Sequence, residues 1–348
     1  MAGHSMQSKS EDSGVVYAAT REGYELPVID VMHRRFHVPD DLQALQKLQD
    51  DLLTSERQRR FFPKFVMRWM LISAARQSRL VRALFGGDST FLDGISTYVM
   101  KLGADNLVAP YDSPMDRRFA ASPHVTYLRL RTQQMAELVA DALVEHLATN
   151  EKPLHIVNIA GGPAVDSLNA LILLARRDPT LLRRKIAIHV LDQDDAGAFF
   201  GRNALAAMQA EGHPLAGYDI TFEHQTYNWD KASLLADLIG DLAASGVIIA
   251  ASSEGGLFEY GSDRAIVENL KALNRGGGAQ LVVGSVTRDD ELRRRMMVQS
   301  RIQLIPRGIK GFQPLVAEAG FAIVDIKPTI WSDQVLLLPR PGLDAISP

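Results

Sequence analysis

Cysteine is absent from the 348 residues, which excludes disulfides, thiolate nucleophiles, Cys-ligated zinc and iron-sulfur clusters. An excess of charge is missing too. The 38 Lys and Arg residues stand against 41 Asp and Glu, a formal net charge of -3. That balance offers no overall attraction to nucleic acid or to an anionic membrane. No apolar run approaches the roughly 20 residues that a spanning helix needs; the most apolar helical window, Phe65 to Ala75, contains Arg68. Gly-x-x-x-x-Gly-Lys and Gly-x-Ser-x-Gly are both lacking, which removes the common phosphate-cradling and hydrolase signatures. His33 and His37 lie four apart. With no Glu beside the first and Pro39 close behind, no metal is expected. Arg293, Arg294 and Arg295, with Arg301, Arg307 and Lys310, form a local basic run without interleaved aromatics, which reads as a solvated helix face rather than a nucleic-acid surface. The expectation is a soluble, cytoplasmic protein with no metal, nucleic-acid or membrane partner.

What is present is enough apolar material for a large core: 46% of the residues are hydrophobic and 23% charged, which excludes disorder. Residues 1–13 are polar and small and read as a disordered tail or tag remnant. Residues 14–150 read as a helical lid or substrate-binding region. Pro39-Asp40-Asp41, with a cap-capable Asp, reads as the start of a first helix that carries Leu45, Leu48 and Leu52. After Pro63 a second helix carries Phe65, Trp69, Ile72, Leu80, Val81 and Leu84 and stops before Gly86-Gly87. Met135, Leu138, Val139, Ala142, Leu143 and Leu147 mark a third. This apolar front half is expected to bury itself against the sheet region or against a second copy of the chain.

Residues 151–348 change texture. Short β-branched runs alternate with helical segments, which predicts βαβ units around a mostly parallel sheet. The seven strand candidates are 155–159, 186–191, 219–223, 247–251, 280–284, 321–326 and 334–338. The last two are too close for a crossover helix, so they are expected to form an antiparallel hairpin at one end.

Three features of this half carry chemistry. The first predicted strand exits through Asn158-Ile159-Ala160-Gly161-Gly162-Pro163-Ala164, small residues that permit a tight turn and close ligand approach to the following helix N-terminus. One βα unit later Asp192, followed by Gln193, places an acid where it can accept hydrogen bonds from both hydroxyls of a ribose. The third is the antiparallel end hairpin. After the fourth strand comes Ser252-Ser253-Glu254-Gly255-Gly256-Leu257-Phe258-Glu259-Tyr260, at the switch point where ligands bind in open α/β sheets. There Ser252 or Ser253 can hydrogen-bond a carboxylate or amine, Glu254 can act as base or pair with an ammonium, and Tyr260 or Tyr227 can face a cation. The competing reading of each is a capped loop. In the front half Tyr98, Lys101, Tyr111, Asp116, Arg117, Tyr127, Arg129 and Arg131 are dense enough to suggest a lid over a small polar ligand.

Together the loop, Asp192 and the hairpin resemble the class I S-adenosylmethionine-dependent methyltransferase superfamily, over roughly Pro153 to Arg340. That family's first loop reads acid-x-Gly-x-Gly-x-Gly. Here it is Asn158-x-Ala160-x-Gly162-x-Ala164, with an amide for the acid and two alanines for glycines. The Asn274-Arg275-Gly276-Gly277-Gly278 turn resembles the one before the family's fifth strand. The resemblance implies a Rossmann-like seven-stranded α/β domain behind a helical region, with S-adenosylmethionine as cosubstrate or sole substrate. Its holders would be Asn158, Ala160, Gly161, Gly162, Pro163, Asp192, Gln193, Thr226, Tyr227, Asn228 and Ser252. It implies methyl or alkyl transfer to a small molecule. The overall pattern also looks like bacterial secondary-metabolism enzymes, among them azetidine-2-carboxylate synthases, which cyclise S-adenosylmethionine and release methylthioadenosine. Nicotinamide-dependent hydride transfer shares a glycine loop and a ribose acid, but the hairpin and the missing third glycine count against it. The degenerate loop also admits a methyltransferase-like binding subunit without chemistry.

Overall fold

A computed structural model describes residues 14–60, 64–86, 94–291, 293–294 and 304–340. Seven strands form one sheet: β3 (Leu154–Ile159), β4 (Ile186–Asp192), β5 (Ile220–Thr226), β6 (Ile248–Ser253), β7 (Leu281–Thr287), β8 (Phe321–Pro328) and β9 (Ser332–Pro339). Their order is β5-β4-β3-β6-β7-β9-β8. The first five are parallel, whereas β9 runs antiparallel to both β7 and β8. All seven expected strands are therefore present, and the final pair is the expected antiparallel hairpin.

Because successive side chains on a strand face opposite ways, the sheet feeds two cores. Leu154 and Ile156 of β3 join a cluster with Ile188, Ala250 and Val283, while Val157 and Ile159 join Leu191, Ile249 and Val282 on the other face. Both faces of β3, β4, β6 and β7 are thus buried, as crossover helices require, whereas β5 at the edge buries one face. The first face is covered by α6 (Pro123–Ala148), α7 (Val165–Arg177) and α8 (Asp195–Met208). The second is covered by α9 (Ser233–Ala244), α11 (Asp263–Leu273) and α12 (Gly308–Glu318).

The front half shares the first of these cores: Leu26, Val99, Leu102 and Leu138 belong to the same cluster as Leu171 and Ile188. Polar ties reinforce the packing. Asn169 of α7 accepts a hydrogen bond from the Val31 amide (2.8 Å) and donates one to the Ile29 carbonyl (3.0 Å).

Three local expectations are corrected here. The front half does not begin as helix: β1 (Tyr17–Ala19) and β2 (Glu25–Pro27) form a small antiparallel sheet. The first helix, α1 (Leu42–Arg60), does start after Pro39-Asp40-Asp41, and of the two aspartates it is Asp41 that accepts from the Gln43 and Ala44 amides. The second is two helices, α2 (Lys64–Gln77) and α3 (Arg79–Gly86), broken at Ser78. The Ser78 hydroxyl donates to Asp116 (2.5 Å) and accepts from the Val81 amide (2.9 Å), a local alternative to continuing the helix. Its stripe splits accordingly: Leu80 and Val81 are buried, whereas Trp69 and Ile72 are 70% and 48% exposed. The basic run is not a uniformly solvated face either. Arg294 is exposed and paired with Asp289, but Arg293 and Arg307 are buried. Arg295 and Arg301 lie outside the described residues, as do Pro63 and Gly87.

Candidate functional site

The loop between β3 and α7 keeps the backbone of a glycine loop with only part of its glycines. Ala160, Gly162 and Ala164 have φ of 56°, 54° and 53°, a left-handed conformation that costs an L-residue about 1–2 kcal/mol. Hydrogen bonds from the next strand hold it there. Asp192 Oδ2 accepts from the Gly162 amide (2.8 Å), its Oδ1 accepts from the Asp194 amide (2.8 Å), and the Ala160 amide donates to the Leu191 carbonyl (2.8 Å). Burial raises the Asp192 pKa, and the two amides work against that rise.

Close packing explains which glycines remain. A Cβ on Gly161 would stand 2.0 Å from Asn158 Oδ1. A Cβ on Gly197 would stand 3.0 Å from the Gly162 Cα, and one on Gly201 2.6 Å from the Pro163 carbonyl oxygen. So α8 lies backbone-to-backbone on the loop. Helix α4 (Gly94–Leu102) closes over it from the front half, with the Gly94 amide donating to Asp194 Oδ2 at 2.7 Å.

Beneath the loop lies a polar knot that sequence reasoning only half identified. Asn158 Nδ2 is within hydrogen-bonding distance of Asp166 Oδ1 (2.8 Å), Ser167 Oγ (3.0 Å) and Ser252 Oγ (3.0 Å), and all four residues are buried. Asp166, in the first turn of α7, thus brings a carboxylate to the place where the leading position of the motif has an amide. Burial, followed by the nearby charge of Glu254, raises its pKa. Among the described residues, Asp166 Oδ2 and Asn158 Oδ1 have no hydrogen-bond partner. Two buried acceptors without donors fit a cationic group such as an α-ammonium. The signal for Asp166 was its position eight residues after Asn158, one loop and one helical turn away.

Glu254, at the exit of β6, is the centre of a second knot. Its carboxylate pairs with Lys101 of α4 and with Arg131 Nε of α6 (2.6 Å), and Arg131 Nη1 reaches Glu259 at 3.0 Å. All four side chains are at most 6% exposed. Burial alone would raise the Glu254 pKa; the charges of Lys101 and Arg131 outweigh it and bring the value down to about 2. A carboxylate so committed is a poor proton acceptor, which moves the candidate base from Glu254 to Asp166. Glu259 goes the opposite way: burial raises its pKa against the pull of Arg131. Gly255 makes room for this arrangement, since a Cβ there would meet Arg131 Nη2 at 2.4 Å.

The other expected residues divide clearly. Ser253 is structural: its hydroxyl donates to the Ile159 carbonyl and accepts from the Leu257 amide, both at 3.0 Å. Tyr227 is buried with its hydroxyl on Asn269 (2.5 Å), whereas Thr226, Asn228 and Gln193 are exposed at the carboxyl ends of β5 and β4. Tyr260 is half-buried beside Glu259, and burial raises its pKa. Among the front-half residues expected to form a lid, Lys101 and Arg131 reach the loop after β6. Tyr98 donates to the Pro27 carbonyl (2.7 Å) and Tyr111 meets Tyr24 (3.2 Å). Arg117 holds the Ala104 and Leu107 carbonyls, Arg129 the Phe36 carbonyl, and Asp116 holds Ser78 and the Leu80 amide. Tyr127 is buried near Arg293.

The parallel order with an antiparallel end hairpin, and a left-handed loop facing an acid at the end of the next strand, define the class I S-adenosylmethionine-dependent methyltransferase fold. No family model matches the sequence, and no curated protein matches it. Solved structures similar to the chain include an O-methyltransferase family protein from Burkholderia thailandensis, at 17% identity and a TM-score of 0.40; 66% of this chain aligns with 61% of that one. Human N-acetylserotonin methyltransferase in complex with SAM aligns at 14% identity and a TM-score of 0.36, over 62% and 56% of the two chains. A point variant of LepI in complex with SAH and a substrate analogue aligns at 13% identity and a TM-score of 0.44, over 87% and 95%. The chain thus spans about three fifths or less of the first two relatives' lengths. At these values the likenesses carry no statement about chemistry. Among the described residues no helix is long and apolar enough to cross a membrane, and no three His, Asp or Glu residues are grouped as a metal site.

Proposed function

We propose that the carboxyl ends of β3, β4 and β6 bind S-adenosylmethionine, and that the protein is an enzyme transferring a methyl or alkyl group from it to a small molecule. The observation that carries this reading is the left-handed loop at Ala160, Gly162 and Ala164, bonded through the Gly162 amide to the Asp192 carboxylate. Each carboxylate oxygen of Asp192 accepts one amide, which leaves a lone pair on each for a ribose hydroxyl. Thr226, Asn228 and Gln193 are exposed beside it to meet an adenine. Asn158, Asp166 and Ser252 form the polar end for the amino acid moiety. The bound molecule would supply an activated carbon on its sulfonium. The chain's own part is to orient it, to exclude water beneath α4 and α6, and to hold or accept a proton at Asp166 Oδ2.

Titration calorimetry with S-adenosylmethionine and S-adenosylhomocysteine tests the reading. Binding that is lost in Asp192→Ala is the expected result. A protein that binds neither, and whose melting temperature neither ligand moves, would be a methyltransferase-like binding subunit instead.

One observation favours a second reaction in the same site. Ring closure of S-adenosylmethionine to azetidine-2-carboxylate requires the α-ammonium to lose its proton, and Asp166, with its raised pKa and unpartnered Oδ2, suits a proton acceptor at that end. Incubation with S-adenosylmethionine and no acceptor separates the two. Methylthioadenosine accumulating supports cyclisation, and an unchanged mixture supports transfer to a second molecule.

A further inference from the structure

Arg293, after β7, carries a charge that the described residues satisfy only in part. Its side chain is 2% exposed, yet among the described residues its Nη1 and Nη2 have no hydrogen-bond partner. Its Nε reaches only the Trp331 carbonyl, at 3.4 Å. Two carboxylates act on it: Asp290, 3.9 Å away and half in solvent, whose Oδ1 already accepts from the Arg293 amide at 2.9 Å, and more weakly Glu56 of α1. A buried guanidinium whose Nη groups lack acceptors is costly. The surroundings are aromatic. The guanidinium carbon lies 4.6 Å from the centre of the Trp331 ring, and Tyr127 of α6 is buried within electrostatic reach.

The place is informative as well. Arg288 ties this segment to the β8–β9 turn, its amide donating to the Trp331 carbonyl (3.2 Å) and its guanidinium to that of Thr329 (2.8 Å). Tyr127 lies four residues before Arg131, on the same side of α6, and Arg131 holds Glu254 and Glu259. Arg293 therefore lies beside α6 about one helical turn from the residue that pairs with Glu254. In an open α/β sheet this is the carboxyl edge, where ligands bind.

We infer that Arg293, with Trp331 and Tyr127, forms a second subsite that takes the carboxylate of a small planar acceptor molecule. The two Nη groups present a planar fork that matches both oxygens of one carboxylate, and Trp331, which stacks on the guanidinium and meets His124 T-shaped, supplies an aromatic wall for a flat organic body. This assignment of substrate class rests on the reading of the chain as a transferase acting on a second molecule.

The test uses the full chain with benzoate as probe and benzamide as its uncharged isostere, followed by titration calorimetry. Benzoate is expected to bind wild type at least about tenfold more tightly than benzamide, a difference of about 1.4 kcal/mol. Arg293→Gln removes that preference, Arg293→Lys retains part of it, and S-adenosylhomocysteine affinity stays the same in all three. Equal binding of benzoate and benzamide, an Arg293→Gln variant that keeps the preference, or no benzoate binding at about 10 mM would overturn the inference. Should Arg293→Gln fail to fold, the wild-type comparison and Arg293→Lys still decide. If S-adenosylhomocysteine does not bind but the benzoate preference holds, the transferase reading falls and the subsite stands.

Discussion

The loop after β3 and the loop after β6 sit side by side on one edge of the sheet, yet they are built on opposite principles. The first is held from close by: the Gly162 and Asp194 amides donate to the Asp192 carboxylate and the Ala160 amide to the Leu191 carbonyl, all within one βα unit. The second is held by side-chain charge brought from far away, with Lys101 and Arg131 lying 153 and 123 residues from the Glu254 they neutralise. The first loop therefore depends on one nearby side chain, Asp192, and on its left-handed dihedrals. A charge-held loop tolerates almost no loss, because each deletion strands a buried ion.

The largest effect expected from this contrast is at Glu254. Glu254→Gln leaves Lys101 and Arg131 buried with Glu259 alone, and denaturant unfolding should show a loss of about 3–5 kcal/mol. The same residue has a pH signature. Its folded pKa of about 2 lies below the ordinary value of 4.5, so its contribution is complete above pH 4.5 and is lost as the pH falls from there through about 2. Acid titration of wild-type stability should fall over that window, and the Glu254→Gln profile should be flatter; parallel profiles would assign the acid sensitivity elsewhere.

Next in size is Gly161→Ala, whose Cβ would collide with Asn158 Oδ1. A loss of about 1–3 kcal/mol is expected, with weaker S-adenosylhomocysteine binding in calorimetry, because the knot with Asp166 and Ser252 must shift. One residue earlier the sign reverses. Ala160→Gly relieves a left-handed alanine and should raise stability by up to about 1 kcal/mol, after the entropic cost of glycine is deducted. Equal losses at both positions would contradict the account of the loop as dihedral-held. The smallest effect belongs to the exposed Lys47–Asp51 pair of α1. Lys47→Ala should leave the melting temperature unchanged.

Much of the sheet was legible because its signals are local. A strand that is buried on both faces is mostly apolar, as β3 is at Ile156, Val157 and Ile159, and a short connection such as that between β8 and β9 permits only an antiparallel pair. The break at Ser78 escaped periodicity, since the apolar spacing runs on across it while a hydroxyl takes over the backbone's hydrogen bonds. The β1–β2 ribbon escaped for another reason. Three-residue strands carry too few alternations to register, and their place on the molecule comes from distant partners such as Asn203, which donates to the Ala19 carbonyl. At the site, Asp192 and the small-residue turn stood out because both lie at strand ends. Asp166 did not, because a carboxylate in the first turn of a helix is common there for its effect on the helix dipole alone.

By itself the amino-acid order determined the strands, the turn geometry that small residues permit after β3, and the chemistry that a chain without cysteine can perform. These depend on residue type and near neighbours, which a linear pattern contains. Only the tertiary structure decided that Glu254 is neutralised by Lys101 and Arg131, that Asp166 stands beneath the loop with one oxygen that no described donor reaches, and that the Arg293 Nη groups are buried with no hydrogen-bond acceptor among the described residues. Whether a charge is matched depends on everything within a few ångströms of it, and folding draws those neighbours from all along the chain.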